Sequence, residues 1–416
     1  QPGRAATASQ KSSMRRWLPY SIGLLITANT KLRFNLPLGL GELMLLGLSF
    51  RAMLSSHWSS QPDLTRPFMI FWGPYLGMGF IGSVVASVFG RAVPYMWMDI
   101  VSYVFVVFFV IALVGRKDLW PICDAISRYF TAMFAGLSFL LYLVSRVMPS
   151  IGPFSLLDGD YATYGRFQGL TTNANQMALV ATLCFALSLF NFERTRRVMW
   201  LGFAFMSLAC GVVSVSDGFR VSLALAVAVT VARAVWAPAK SPGGAVLRMM
   251  VALAAAFIMA FVVSAATGYT EYLAHKDNGQ ANERVELWSR CIDRIEASPI
   301  IGSGFGAQAS QGTHAEECHN TYLEVFSASG FLGILGLLTL MTIAARYALR
   351  YSVALTGGLV MIAVQSTFSH FLRHIEFWLL PIVIIAYGVA RDRARRPDTP
   401  APTFVRQLES GSHADL

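Results

Sequence analysis

The stretch Glu316-Glu317-Cys318-His319-Asn320-Thr321-Tyr322 gathers acids, a thiol, an imidazole and an amide where a long apolar run begins. An unperturbed imidazole titrates at about pH 6.5, so His319 suits proton transfer near neutrality. Three arginines also stand at the edges of apolar runs: Arg166 in YGRFQGLTTNANQ, Arg220 in SVSDGFRVS and Arg284 in ANERVELWSR. Arginine offers a planar fork of donors and keeps its charge, which matches phosphate oxygens. Singly, such an arginine is more often a snorkelling side chain, and such a histidine more often a cap or a solvated helix end, than a ligand. Gathered at one mouth of a bundle, three arginines and a histidine would suit the head group of a lipid diphosphate.

The elements that position them are membrane spans. Of 416 residues, 55% are hydrophobic and only 13% charged, and the mean hydropathy is +0.52, whereas soluble domains carry about 25% charged residues. Apolar runs of spanning length give about 12 helices. They centre near 17–30, 36–54, 68–89, 96–115, 129–148, 176–192, 198–216, 221–238, 247–267, 321–345, 352–371 and 376–390. The expected fold is all-α and polytopic, with a cytoplasmic segment 1–16, a transmembrane domain 17–390 and a disordered tail 391–416. The basic, Ser-rich stretch from Gln1 to Arg16 leads into the first span without a small-residue cleavage site, so no cleavable signal peptide is expected. The net charge of +10 comes from short basic clusters between apolar runs, which argues for membrane orientation and against nucleic acid. About two thirds of the 33 basic residues fall on the side that holds both termini, which makes that side cytoplasmic.

Two outside segments are long, 149–175 and 268–320. In the second, Val285, Trp288, Ile292 and Ile295 recur at helical spacing. The pattern predicts a surface helix capped by Asn282 and stopped by Pro299, with that face against the bundle. Gly302–Gly306 (GSGFG) lacks a preceding strand and a following Lys-Ser/Thr, so it reads as a turn rather than a phosphate loop. Asp158 and Asp160 form a D-x-D on an outside loop, read as solvated in preference to metal-holding. His370 and His374 have metal-ligand spacing, but Arg373 between them would repel a cation and could itself touch phosphate. No metal and no cofactor are expected.

The segment RVELWSRCIDRIEASPIIGSGFGA followed by HNTYLEVFSASGFLGILG resembles the core of the O-antigen ligase and polymerase family. The resemblance falls on Arg284, Trp288, Pro299, Gly302, Gly304, His319, Asn320, Tyr322, Leu323, Gly330 and Gly333. Upstream, Arg166, Gly169, Asn173 and Asn175 are similar to a second family element, with Ala174 where the family usually has proline. Arg220 matches a third element more loosely. The resemblance implies a glycosyltransferase C-like membrane enzyme with a large periplasmic loop between its ninth and tenth spans. It implies a metal-independent, inverting transfer of a glycan from undecaprenyl diphosphate to lipid A-core oligosaccharide, at the periplasmic face of a bacterial inner membrane. His319 would be the base. Arg166, Arg220 and Arg284 would hold the diphosphate, supported by Asn320, Tyr322 and Trp288. From the residues themselves, Glu316, Glu317 and Glu324 are read as solvating or orienting the base rather than as catalytic.

A polymerase would use the same donor and pass the glycan to another repeat unit. One dominant outside loop favours a ligase. A lipid-linked glycan transporter would place coupled carboxylates within the membrane, where only Glu42 and Asp99 qualify. Of five cysteines, Cys291 and Cys318 alone share the outside loop, where an oxidising compartment would let them pair; two unrelated thiols are the alternative.

Overall fold

The computed structural model describes residues 17–33, 39–55, 58, 61–88, 96–152, 154–158, 165–236, 279–306 and 317–395. Within them the apolar runs coil into helices α1 (Leu18–Ala28), α2 (Leu40–Met53), α3 (Pro62–Val88), α4 (Met96–Val114), α5 (Leu119–Ser145), α6 (Ala174–Thr195), α7 (Met199–Val213) and α8 (Asp217–Trp236). They are followed by α9 (Gly279–Ala297), α10 (Thr321–Tyr351), α11 (Val353–Gln365) and α12 (Ile375–Ala394). The run at 247–267, the stretch before Trp17 and the tail beyond Arg395 lie outside the described residues.

Among the described residues, α3, α5, α6 and α10 are long and apolar enough to cross a membrane, and α1, α7 and α11 are shorter apolar helices. Large side chains such as Phe80, Val88, Leu143, Phe205 and Phe331 point outward and exposed. Such an apolar exterior around an apolar interior is stable in lipid rather than in water. The chain is an integral membrane protein.

Helix ends differ from the sequence expectation where local chemistry intervenes. Helix α5 starts at Leu119 rather than near 129, because Leu119, Trp120, Ile122, Cys123 and Ile126 already bury against the bundle. Helix α2 starts at Leu40, where the Glu42 carboxylate accepts the Gly39 N–H at 3.1 Å. The segment 149–175 is not wholly loop. Ser150–Ile151 pairs antiparallel with Phe154–Ser155, and Leu157–Asp158 with Arg166–Phe167. We number these strands β1 (Ser150–Ile151), β2 (Phe154–Ser155), β3 (Leu157–Asp158) and β4 (Arg166–Phe167).

Helix α9 begins at Gly279, so Asn282 lies inside it and does not cap it. Its packed face is also turned from the expected one. Leu287 and Cys291 are buried against Cys318 and Leu323, while Ile292 is exposed. Neighbouring helical positions differ by roughly 100°, so anchoring Cys291 necessarily swings Ile292 outward.

Polar side chains join the helix ends at one end of the bundle. Arg194 pairs with Asp124, Arg393 with Asp63, and Arg350 with Asp392, while Arg233 donates to Ser352 O and Thr356 Oγ1. Between the polar ends lies one continuous apolar core that includes Phe71, Trp72, Phe109, Phe190 and Trp378.

At the opposite end, the chain after α9 wedges between α3 and a break in α10. Gly330 has φ 65° and ψ −161°, which interrupts the helix. The freed groups are taken up by the wedge: Phe331 N donates to Pro299 O (2.8 Å), Ser303 N to Ser327 O (2.7 Å) and Gly304 N to Ala328 O (3.1 Å). A Cβ on Gly330 would stand 2.1 Å from Ile300 O, and one on Gly304 2.3 Å from Ser83 N. Both positions have positive φ, so only glycine meets the spacing and the conformation together. The GSGFG stretch is therefore a packing turn.

Candidate active site

The start of α6 is the hub. Asn173 caps it by accepting from Gln176 N at 2.9 Å, and Asp158 Oδ2 accepts from Ala174 N at 3.3 Å. Asp158 thus serves the positive end of a helix; Asp160 lies outside the described residues. Arg166 reaches across this hub, with Nε donating to Ser214 O at 3.2 Å and Nη2 to Asn175 Oδ1 at 3.1 Å. Asn175 Oδ1 also accepts from Ser216 Oγ at 3.0 Å. That serine begins the turn into α8, where Arg220 N donates to Ser216 O at 3.2 Å. Arg166, Asn175 and the turn that carries Arg220 are therefore one hydrogen-bonded unit, with both arginines half-buried.

Gln176 extends the hub sideways. Its Oε1 accepts from Thr30 Oγ1 (2.8 Å) and Thr172 N (3.1 Å), and its Nε2 lies 3.3 Å from His374 Nδ1. His374 closes the segment 366–374, which receives the start of α10: Thr321 N donates to Ser366 O (2.7 Å) and Thr321 Oγ1 to Ser369 O (2.8 Å). His319 stands two residues before Thr321. The sequence-expected Arg166, Arg220 and His319 thus emerge at the same end of the bundle through a continuous set of contacts.

His319 itself is exposed and sits at φ 48°, a left-handed conformation uncommon outside glycine. Its neighbours are all tied. Cys318 is disulfide-bonded to Cys291, with Cα atoms 6.1 Å apart, and Asn320 Oδ1 caps α10 by accepting from Tyr322 N and Leu323 N at 3.0 and 3.1 Å. Tyr322 OH donates to Ala363 O at 2.8 Å. Asn320 and Tyr322 therefore build the frame. Trp288 is half-buried on α9, with its Nε1 buried and without a hydrogen-bond partner among the described residues. Arg284 lies on the same helix, and its side chain falls outside the described residues.

Beneath the His319 loop runs a buried polar chain that the sequence reading largely missed. Arg373 Nη1 lies 3.0 Å from Asp99 Oδ1, and its other nitrogen pairs with Glu317. Asp99 Oδ2 accepts from Gly306 N at 3.0 Å. Asp99 is therefore a paired anchor of the wedge, and Arg373 is committed to two carboxylates rather than offered to phosphate. His370 Nε2 lies 3.3 Å from Tyr103 OH, and its Nδ1 lies 3.9 and 3.8 Å from Glu317 and Glu324. His370 and His374 thus have separate partners. Among the described residues, no three His, Cys, Asp or Glu side chains gather with metal-binding geometry.

Lys31 is a second residue the sequence reading passed over. Its N–H donates to Leu170 O at 3.0 Å, and its Nζ donates to Ser155 O and to Gly169 O, the latter at 3.3 Å. Burial lowers its pKa to about 8, opposed by the nearby Asp158 charge. It staples β2 to the Gly169 turn. The available signal was its membership in the minority of basic residues placed outside.

Among known families, the one described as O-antigen ligase matches residues 169–338. The matched stretch includes Arg220, Arg284 and His319, and begins three residues after Arg166. No curated protein matches the chain.

Proposed function

The O-antigen ligase family includes this chain through residues 169–338, and from that premise we propose that it moves a glycan from undecaprenyl diphosphate to lipid A-core oligosaccharide. In this reading about 12 spans cross a bacterial inner membrane. Both termini are cytoplasmic, and the site opens to the periplasm.

An acceptor hydroxyl approaches the anomeric carbon from the side opposite the diphosphate. As its oxygen forms the new glycosidic bond, its proton passes to the ring nitrogen of His319. The bond from the anomeric carbon to the diphosphate oxygen breaks, that oxygen keeps the electron pair, and the anomeric configuration inverts. A placed base contributes roughly 10²–10⁴-fold. Arg166, Arg220 and Arg284 meet the charge that grows on the departing diphosphate; by analogy with oxyanion donors, each is worth roughly 10²–10³-fold. Trp288, Asn320 and Tyr322 support the site. No step calls for a metal.

The observation that carries this reading is the exposed His319 on a left-handed backbone, clamped by a disulfide and a helix cap at the bundle end where Arg166 and Arg220 emerge. Strain of this kind is kept where the surrounding structure enforces it, often at working sites. The test is transfer by the purified full chain in nanodiscs, supplied with lipid-linked glycan and lipid A-core in EDTA. The expected result is glycosylated acceptor with release of undecaprenyl diphosphate; no transfer without added divalent metal would refute the metal-free scheme.

A further inference from the structure

The buried chain under His319 contains one residue whose contacts converge on the histidine loop. Glu324 lies in the first turn of α10, 8% exposed. Its Oε2 accepts the Cys318 N–H at 3.1 Å, in the Glu317–Cys318 peptide one residue ahead of His319. The same oxygen lies 3.8 Å from His370 Nδ1. Its charge also reaches Arg294 on α9: burial lowers the Arg294 pKa, and Glu324 opposes that shift. One carboxylate therefore meets the loop before α12 and the backbone one residue ahead of His319, and its charge is felt by Arg294 on the surface helix.

A buried carboxylate is costly unless its acceptors are used, and it is an acceptor only. Folding could satisfy a helix start at this position with an uncharged residue, since Asn320 already supplies the cap. What Asn320 does not reach is the Cys318 N–H. That bond fixes the Glu317–Cys318 peptide plane, on the entry side of Cys318 and one residue before the position at φ 48°, while the disulfide holds the Cys318 side chain.

We propose that Glu324 is a positioning residue for His319: its carboxylate, seated beside His370, holds the Cys318 N–H, and so the start of the His319 loop, such that the imidazole faces the acceptor. This rests on His319 being the base of the proposed transfer. A misplacement of about 1 Å at a reacting group costs on the order of 100-fold, so losing the bond lowers kcat by about 10–100-fold.

The test compares Glu324→Leu, which fills similar space without an acceptor, with Glu324→Gln, which keeps one, in the full chain in nanodiscs. Glu324→Leu is expected to lose about 10–100-fold in kcat, with the donor KM within about twofold and the Cys291–Cys318 bond intact by mass spectrometry. Glu324→Gln should recover most of that loss. If the leucine variant fails to insert, Glu324→Asp replaces it with the same expectation, being one methylene too short to reach the Cys318 N–H. In a His319→Gly background, Glu324→Leu should add no further loss, because the two act through one group. Wild-type kcat in Glu324→Leu, a glutamine variant as slow as leucine, or a loss expressed wholly in KM would overturn the assignment. If His319→Gly itself transfers normally, the base reading fails; if His319→Gly is inactive and Glu324→Leu is normal, only the positioning role fails.

Discussion

Replacing Gly304 with alanine should unseat the wedge that ties the outer segment to the bundle. Gly304 has φ 87°, and an added Cβ would stand 2.3 Å from Ser83 N, 2.5 Å from Ser83 Cα and 2.6 Å from Ser83 Oγ. The left-handed conformation alone costs alanine about 1–2 kcal/mol. Two of the three clashing atoms are backbone of α3, so relief requires the helix or the turn to move, which adds about 1–3 kcal/mol. Movement of the turn also strains Phe305 N to Ser83 Oγ (2.8 Å) and Gly306 N to Asp99 (3.0 Å). The sum is about 2–5 kcal/mol of destabilisation. Gly136 in α5 is the control: nothing lies within 4 Å of its added Cβ, and alanine inside a helix gains about 0.5–1 kcal/mol. Reversible unfolding in mixed micelles, followed by tryptophan fluorescence, gives both values. If the two variants unfold within about 0.5 kcal/mol of each other, the account of the wedge is wrong.

A non-reduced digest should yield a Cys291–Cys318 cross-linked peptide, and replacing both cysteines with serine should cost roughly 3–4 kcal/mol by the loop-entropy model for a separation of 27; free alkylatable thiols at both positions would contradict the bond. Arg166→Lys should raise donor KM about tenfold, because one ammonium cannot meet both Ser214 O and Asn175 Oδ1 as the guanidinium fork does; full activity with lysine would leave charge alone as the requirement. In the folded chain the pKa of Lys31 is lowered to about 8 from the ordinary lysine value of 10.5. The unfolded chain therefore binds more protons at this residue between those pH values, and its contribution to stability rises with pH across that window. The stability of wild type relative to Lys31→Met should therefore increase from pH 7 to 10; a difference that does not change with pH would remove the depressed pKa.

Much of the architecture was legible because apolar length is a strong signal. Each run within the described residues contains a helix, although the one expected over 352–371 ends at Gln365, and GSGFG was legible as a turn while the helix break at Gly330 was not. The arginine of YGRFQG and the second asparagine of NANQ, read only as parts of one motif, prove to be hydrogen-bonded to each other. Residue roles fixed by distant partners were not legible. Nothing near Asp99 in sequence signals Arg373 or the Gly306 N–H, and nothing near Glu324 signals His370. The α9 face was misjudged because hydropathy ranks Ile292 above Cys291, whereas the covalent bond decides which side turns inward. Asn282 was misjudged as a cap because its type favours helix starts, and the helix began one turn earlier.

The central claim is that His319 takes the acceptor proton, and His319→Gly isolates that chemistry. Glycine occupies φ 48° without strain, so the variant should insert, keep its disulfide and unfold no earlier than wild type. Single-turnover transfer by this variant, with saturating lipid-linked donor and acceptor, measures the loss of the base alone. The account predicts a rate lower by about 10²–10⁴-fold with donor binding retained. A well-folded His319→Gly protein that transfers glycan at close to the wild-type rate would contradict it.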